Sequence, residues 1–411
     1  MYTIKNFIRT INHNRDANVR FHAIFSVFLK FFSLIVNFSL VPLTINFFGL
    51  ANYGLYTALV VISGWVVFLD VGMSQSFRNS VSTYYASNDT KTTKTFISTT
   101  YAIFGIIGLS CFLIFIFVSP FINFSNLLGQ VPDTNFNITQ VFTIVVIFTL
   151  FNFMNRLITI ILMATQNASV PVFLSLITNI IILFLLYFLD DLIEATLINL
   201  IFIYFLPMTL IWIFTSMYLF LYTYADIRPS FSYVKFGYIR DLLGSGSQFF
   251  ILQIENVVIF TSASFIILKL FSAADVGIYA TAVRFFSIIQ LVFALVMNVY
   301  WSAISEAIAK KDFKWIGDNI YKLNKLFFLF TPIFILMAFF YEEFFDVWLG
   351  ESIIMPPALA MACFISAYLA TFNSIYEYSL NGSGKIGFLS SVAVFNLIIF
   401  FPLIYYFVYI L

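Results

Sequence analysis

The stretch ADVGIYATAVRFFSI, residues 274–288, places one guanidinium, that of Arg284, in a segment that is otherwise apolar for about two dozen residues. Ionisable side chains inside membrane-spanning segments are costly, so they are rare and usually functional. The meaning of Arg284 therefore depends on whether the surrounding chain crosses a membrane.

The composition of the 411-residue chain is that of a membrane protein. Hydrophobic residues make up 62% and charged residues only 9%, with a mean hydropathy of +0.99. Soluble domains contain roughly 25% charged residues. A net charge of +1 gives no electrostatic basis for a nucleic-acid partner. Cys111 and Cys363 lie in apolar segments, so we expect packing residues; neither a metal site nor another cofactor is predicted.

Long apolar runs predict eleven membrane-spanning helices, or twelve if one run contains two. Connections without Lys or Arg alternate with basic ones, so the positive-inside rule places the N-terminus in the cytoplasm and the C-terminus in the periplasm. The predicted spans are 21–48, 53–76, 95–119, 138–164, 169–189, 195–222, 241–271, 276–303, 314–340, 356–379 and 386–410.

An internal repeat relates the two halves of the chain. FFGLANYGLYTALV at 47–60 aligns with LFSAADVGIYATAV at 270–283, and the same offset of 223 residues pairs Asp89 with Asp312. Six predicted spans separate the copies, so both halves enter the membrane in the same sense, as parallel repeats do. The predicted organisation is a cytoplasmic segment, a six-helix lobe, a cytoplasmic linker and a lobe of about five helices, at 1–20, 21–223, 224–240 and 241–411.

Seven strings along the chain resemble those of the Wzx-type polysaccharide flippases, which belong to the multidrug/oligosaccharidyl-lipid/polysaccharide (MOP) exporter superfamily. The resemblance runs from about residue 20 to the end of the chain, in the family's order. The strings are FFGLANYGLY (47–56), FLDVGMSQSFRNSVSTYYASND (68–89), GSQFFILQI (246–254), GIYATAVRFF (277–286), YWSAISEAIAKKDFKWI (300–316), VWLG (347–350) and NGSGKI (381–386).

The resemblance implies an all-α polytopic membrane protein, with two lobes around a central cavity that opens alternately to each membrane face. It implies a bacterial inner-membrane flippase that moves an undecaprenyl-pyrophosphate-linked oligosaccharide to the periplasmic leaflet, for surface polysaccharide such as O-antigen of lipopolysaccharide. Implied partners are this lipid-linked substrate, membrane lipids, a polysaccharide polymerase and a chain-length regulator. The family usually has twelve spans, one more than predicted here.

Arg284 and Lys30 are the two candidate contacts for the pyrophosphate. Arg284 lies about eight residues, or about 12 Å, into its helix, and its repeat equivalent is Val61, as expected if the cation serves a substrate. The alternative is an internal salt bridge with Glu255 or Asp70. Lys30 lies on a polar stripe that is either a cavity wall or a helix–helix seam; the stripe consists of Ser26, Ser33, Asn37 and Thr44.

Further polar residues inside the spans are candidates for the cavity or for coupling. Gln248 and Glu255 lie seven residues apart on one helix face, and Glu255 could hold Arg284, accept a coupling proton or bind a cation. Asp70 either organises the cytoplasmic end of its helix or enters the transport pathway. Gln290 could face the sugars.

Three other functions are weighed against this flippase. Flippases for lipid II or teichoic-type precursors would share the fold and would need a similar polar path for the headgroup. A multidrug exporter of the superfamily would be expected to carry acidic cavity residues for cationic drugs. A membrane polysaccharide polymerase is disfavoured, because the predicted outward loops are short and His13 and His22 both lie on the cytoplasmic side. The chain is therefore predicted to be a transporter and not an enzyme.

Overall fold

The computed structural model is helical throughout and divides into two compact units, residues 1–250 and 251–411. Each unit is a bundle of long helices. The residues described are 15–64, 69–70, 72–122, 124, 138–165, 167, 169–190, 192–244, 246–309, 311–350, 354–383 and 385–409.

The described part of the first unit contains seven helices and the start of an eighth. They are α1 (Arg15–Gly64), α2 (Met73–Ala86), α3 (Thr90–Val118), α4 (Ile138–Ala164), α5 (Ser169–Phe188), α6 (Leu197–Tyr218), α7 (Ile239–Gly244) and α8 (Gly246–Leu270), the last of which continues into the second unit. Between α6 and α7 the chain forms a π-helical turn and three 3₁₀ turns, at Leu219–Thr223, Ala225–Ile227, Phe231–Tyr233 and Phe236–Tyr238.

The second unit continues with five further helices. These are α9 (Ala273–Ala309), α10 (Phe313–Phe339), the short α11 (Tyr341–Leu349), α12 (Pro357–Gly382) and α13 (Ile386–Tyr409).

Ten helices of the described chain are long and apolar enough to cross a membrane. The first of them, Phe28–Val61, contains Gly49, whose φ of 80° breaks the α-helical path within α1. Glycine adopts positive φ without steric cost, so the break falls there. The predicted first and second spans lie on either side of Gly49, which accounts for the difference between eleven and ten.

The predicted second span, 53–76, is wrong at its C-terminal end. Helix α1 ends at Gly64, and Gly72, with φ of 77°, immediately precedes the new helix α2. The apolar run was read as one continuous helix, but the chain turns at Gly72, because this residue adopts a left-handed conformation that ends a regular helix.

The local structure at the two aspartates of the predicted repeat is the same. Asp89 caps α3 by accepting from the Thr92 N–H at 3.0 Å, and Asp312 caps α10 by accepting from the Trp315 N–H at 3.0 Å. The residue before each aspartate has positive φ, 56° in one copy and 59° in the other. The offset of 223 residues thus relates identical turns, which confirms the repeat prediction at this point.

Aromatic residues both fill the cores and cover the outer surfaces. In the first unit, Phe104 and Phe153 stack with ring centroids 4.5 Å apart, and both are buried. In the second, Phe327 packs between other rings and is 1% exposed. Long apolar side chains such as Phe117, 75% exposed, point outward from α3. Exposed apolar surface of this extent is typical of a lipid-facing helix.

Candidate transport site

A polar cavity of about 630 Å³ lies within the second unit, among α8, α9, α12 and α13. Ionisable and amide groups share its walls with apolar side chains. The polar lining residues are Glu255, Asn256, Gln290, Asn373, Ser374, Tyr376, Glu377, Tyr378 and Asn396. Two of the predicted site residues, Glu255 and Gln290, are therefore brought together in one cavity.

Helical spacing explains how each element presents its polar groups. On α12, Asn373 and Glu377 are four residues apart, so they lie one turn apart on the same face. On α8, Glu255 lies between Leu252 and Ile259, which line the same cavity at intervals of three and four residues. The cavity is thus bordered by single faces of long helices, which is the usual place for a site inside a helical bundle.

Glu255 is held by an amide from α13. The Nδ2 atom of Asn396 donates a hydrogen bond to Oε1 of Glu255 at 2.6 Å, across 141 residues of sequence. Hydrogen bonds to a charged acceptor are short and strong. Asn396 therefore orients the Glu255 carboxylate within the cavity.

Glu377 is the second carboxylate in the lining of the cavity. Two carboxylates that share one site inside a membrane-spanning bundle repel each other unless a proton or a cation lies between them. Carboxylate and amide oxygens are suitable ligands for a hard cation. Among the described residues, no group of three or more His, Cys, Asp or Glu side chains is placed to hold a metal ion. Glu255 and Glu377 thus give the cavity an acidic lining.

Arg284 lies on α9, half-buried, beside two fully buried phenylalanines. It precedes Gln290 by six residues, about 9 Å along the helix axis. The lining of the polar cavity, as far as it is described, does not include Arg284. The observed hydrogen-bond partner of Glu255 is Asn396, so a pairing of Arg284 with Glu255 stays a prediction.

Lys30 is exposed on α1, in the first unit. One turn further on, Ser33 accepts hydrogen bonds at its Oγ from the Nδ2 atoms of Asn37 and Asn179, at 3.2 and 3.4 Å. Thr44, in contrast, is fully buried and hydrogen-bonds Tyr204 at 2.7 Å. The polar stripe is therefore a helix–helix seam at Thr44 and an amide cluster beside an exposed ammonium at its other end.

Asp70 organises the start of α2. Its side chain is completely buried, accepts a hydrogen bond from the Ser74 N–H at 2.7 Å, and lies 3.5 Å from Nη1 of Arg156 on α4. The Arg156 side chain is 34% exposed. The cation that holds Asp70 thus comes from another membrane-spanning helix.

Some site residues were missed, and one cannot be placed. Glu377 lies inside a predicted span, so the search for intramembrane ionisable groups could have found it. Asn373 and Asn396 are uncharged, and no sequence signal distinguishes them from other asparagines. Gln248 lies on α8, but its side chain is outside the described residues.

These features define a class of protein. The chain is a multi-pass membrane protein with the all-helical fold of MOP-superfamily transporters, and the likeness covers 94% of its length. The solved structures that share this fold include an inward-facing and an outward-facing conformation.

The particular relatives are multidrug resistance MATE family transporters. The inward-facing structure matches with a TM-score of 0.72 and 11% identity, over 94% of this chain and 90% of the other. The outward-facing structure matches with a TM-score of 0.64 and 11% identity, over 94% and 87%. A MATE protein in complex with MaL6 matches equally well, with a TM-score of 0.64. No family model and no curated protein matches the chain.

Proposed function

We propose that this protein is a flippase for an undecaprenyl-pyrophosphate-linked oligosaccharide, moving it from the cytoplasmic to the periplasmic leaflet by alternating access. The fold supports the transport step, because it is shared with MATE transporters captured in both orientations. The sequence strings that resemble the Wzx-type flippases support the choice of substrate.

The observation that carries the proposal is the presence of cations within the long apolar helices. Lys30 is exposed on α1, and Arg284 is half-buried on α9. The lipid tail of the substrate can stay in the bilayer, but its hydroxyls and pyrophosphate cannot cross bare hydrocarbon. A planar guanidinium pairs two phosphate oxygens at once, and an ammonium offers a compact charge.

The carboxylate cavity supplies a means of coupling within this proposal. Binding of a proton or a cation at Glu255 and Glu377 removes the repulsion between them and changes which helix positions are stable. Asn396 on α13 and Glu255 on α8 form one hydrogen-bonded pair. Binding of a proton or a cation at the carboxylates would therefore affect both helices. The energy for transport would enter through this cavity.

The cellular location and the partners are further parts of this proposal. We place the protein in the bacterial inner membrane, with a cytoplasmic N-terminus and a periplasmic C-terminus, and expect a polysaccharide polymerase and a chain-length regulator to act on its product. The polysaccharide would be an O-antigen-like surface polymer.

The proposed substrate is tested by measuring the surface glycan of a deletion strain. The strain is complemented with wild type, Arg284→Ala, Lys30→Ala or the control Lys269→Ala, which removes an exposed cation from the last turn of α8. We expect the first two variants to lose most surface polysaccharide and to accumulate lipid-linked repeat units, while Lys269→Ala matches wild type. Normal glycan in both cation variants would exclude the proposal.

A second candidate function is drug export, which the acidic cavity favours. Glu255 and Glu377 could attract a cationic drug as well as a coupling ion. The deletion strain distinguishes the two functions. Hypersensitivity to cationic drugs with intact surface glycan would favour the exporter, and accumulation of lipid II or a teichoic-type precursor would favour a flippase for those lipids.

A further inference from the structure

An apolar groove runs along α3 and α4 in the first unit. It consists of two adjoining hollows of about 620 and 360 Å³ that share Gly105, Leu109 and Met154 in their walls. On α3 the lining extends from Ser98 to Phe112, about 21 Å along the helix axis. A groove of this length and width fits a hydrocarbon chain.

Two glycines open the groove. Gly105 and Gly108 are three residues apart and therefore lie on the same face of α3. A Cβ atom built on Gly108 would meet no heavy atom within 4 Å, and one on Gly105 would meet only the Met154 Cε, at 3.9 Å. The space beside the helix is therefore open, and the absence of two side chains creates it.

One end of the groove is lined by the segment 225–238, here called the strap. Its backbone is fastened to α3, because the N–H of Ser230 donates to Ser98 Oγ at 3.0 Å and the N–H of Lys235 donates to Thr99 Oγ1 at 2.9 Å. Phe231 of the strap lines the groove and is 94% exposed. An exposed aromatic of this kind is typical of a segment lying in the membrane interface.

Three cations are adjacent to the strap end of the groove along the chain. Arg228 and Lys235 are exposed and adjoin lining residues, and Lys94 lies one turn before Ser98 with its Nζ 4.7 Å from the ring centroid of Tyr233. The only acidic residue of the strap is Asp226. The site therefore combines an apolar channel with a net positive entrance, at the end that the positive-inside rule places in the cytoplasm.

We propose that this groove binds one anionic phospholipid of the cytoplasmic leaflet. Its phosphodiester would lie at Lys94, Arg228 and Lys235, and one acyl chain would extend past Gly105 and Gly108. Basic pockets on the cytoplasmic side of membrane proteins recognise anionic headgroups in this manner. The proposal does not depend on the transported substrate, since none of the groove residues is assigned to the cargo or to coupling in either function.

The proposed headgroup contacts are tested by identifying which lipid the protein retains. The full chain is reconstituted with equal amounts of phosphatidylglycerol and phosphatidylcholine, gently extracted and examined by native mass spectrometry. We expect wild type to retain one phosphatidylglycerol with about tenfold preference, and the triple variant K94Q/R228Q/K235Q to lose that preference. The control K314Q/K322Q/K325Q removes three exposed cations from α10 and should behave as wild type.

The proposed position of the acyl chain is tested by substituting a larger residue for a glycine that lines the groove. Gly108→Leu should remove the retained phosphatidylglycerol without affecting folding, because the new side chain enters open space. Gly317→Leu on α10 is the matched control, since a Cβ there also meets nothing within 4 Å. Equal retention of both lipids by wild type would mean annular lipid only and would overturn the proposal. So would an unchanged lipid in Gly108→Leu, or an equal loss in either control.

Discussion

At the scale of single residues, Glu255 is the group with the best-defined surroundings. It lies in the polar cavity with Glu377 and accepts a hydrogen bond from Asn396 at 2.6 Å. Its position in a span was evident from the sequence, and so was that of Gln290. Their common cavity was not, because it depends on the packing of four helices that are far apart in the chain.

Neutralising either cavity carboxylate should uncouple transport from its driving ion. We expect Glu255→Gln and Glu377→Gln each to lower transport at least about tenfold and to abolish its dependence on a proton or sodium gradient. Asn396→Ala should give a smaller loss, because it only orients Glu255. Transport is measured in proteoliposomes with imposed gradients.

Glu342→Gln is the matched control for the carboxylate variants, because Glu342 is an exposed carboxylate on α11, outside the membrane-spanning helices. It should leave both rate and ion dependence unchanged. Unaltered ion dependence in Glu255→Gln and Glu377→Gln together would remove the coupling role from the cavity.

The ion pair of Asp70 and Arg156 should contribute to stability. Asp70→Ala removes a completely buried carboxylate that also caps α2, and it leaves Arg156 unpaired. We expect the free energy of unfolding to fall by about 2 kcal/mol or more, less than for a fully buried pair because Arg156 is partly exposed. Unfolding of the purified protein in detergent measures it, with the exposed Asp318→Ala as control. A loss no larger than that of the control would contradict this account.

At the scale of elements, α3 and α10 begin with the same turn in the two repeats. Asp89→Ala and Asp312→Ala should therefore lower the melting temperature by similar amounts. Clearly unequal shifts would show that the two turns are not equivalent.

The cap at Asp89 also predicts a pH dependence. Hydrogen bonds from Thr92 lower the pKa of the Asp89 carboxyl below its ordinary value. A lowered pKa in the folded state contributes stability at neutral pH that is lost as the pH falls through that pKa. The difference in melting temperature between wild type and Asp89→Ala should accordingly disappear in acid; a difference that persists unchanged there would be inconsistent with an ionised cap.

The break at Gly49 tests the boundary between the first two predicted spans. Gly49 has φ of 80°, and a Cβ there would meet nothing within 4 Å, so any cost of substitution comes from the backbone alone. Gly49→Ala should destabilise the protein by roughly 1–2 kcal/mol. Gly49→Asn should cost about as much, since a φ of 80° combined with a ψ of 158° lies outside the left-handed α region that asparagine tolerates. Equal stability of Gly49→Ala and wild type in thermal unfolding would argue against the break.

Sequence periodicity and length predicted most of the helices, for a physical reason. A helix that crosses lipid must be apolar over about 20 residues, so span positions can be read directly from hydropathy. The break at Gly49 falls in the predicted connection between the first two spans, but the turn at Gly72 was missed because an apolar run does not show where a glycine takes positive φ. Asn396 was missed because a cavity is formed by tertiary packing, which leaves no local pattern for an uncharged residue, whereas Glu377 could be recognised as an ionisable group inside a predicted span.

At the scale of the whole molecule, the fold supports transport and leaves the cargo to be decided by chemistry. The related MATE structures share 11% identity with this chain, so their titles describe their own cargo. Within this chain the cations Lys30 and Arg284 favour an anionic headgroup, and the carboxylates Glu255 and Glu377 favour a coupling ion. One transporter can use the cations to bind its cargo and the carboxylates to bind a coupling ion.

The most direct measurement is translocation of a labelled polyprenyl-pyrophosphate oligosaccharide in proteoliposomes. We predict movement by wild type and by Lys269→Ala, a loss of at least about tenfold in Arg284→Ala/Lys30→Ala, and an intermediate rate for Arg284→Lys, which keeps the charge but not the planar fork. Undiminished translocation by the double variant, or export of a cationic drug by a wild type that leaves the lipid unmoved, would contradict the account.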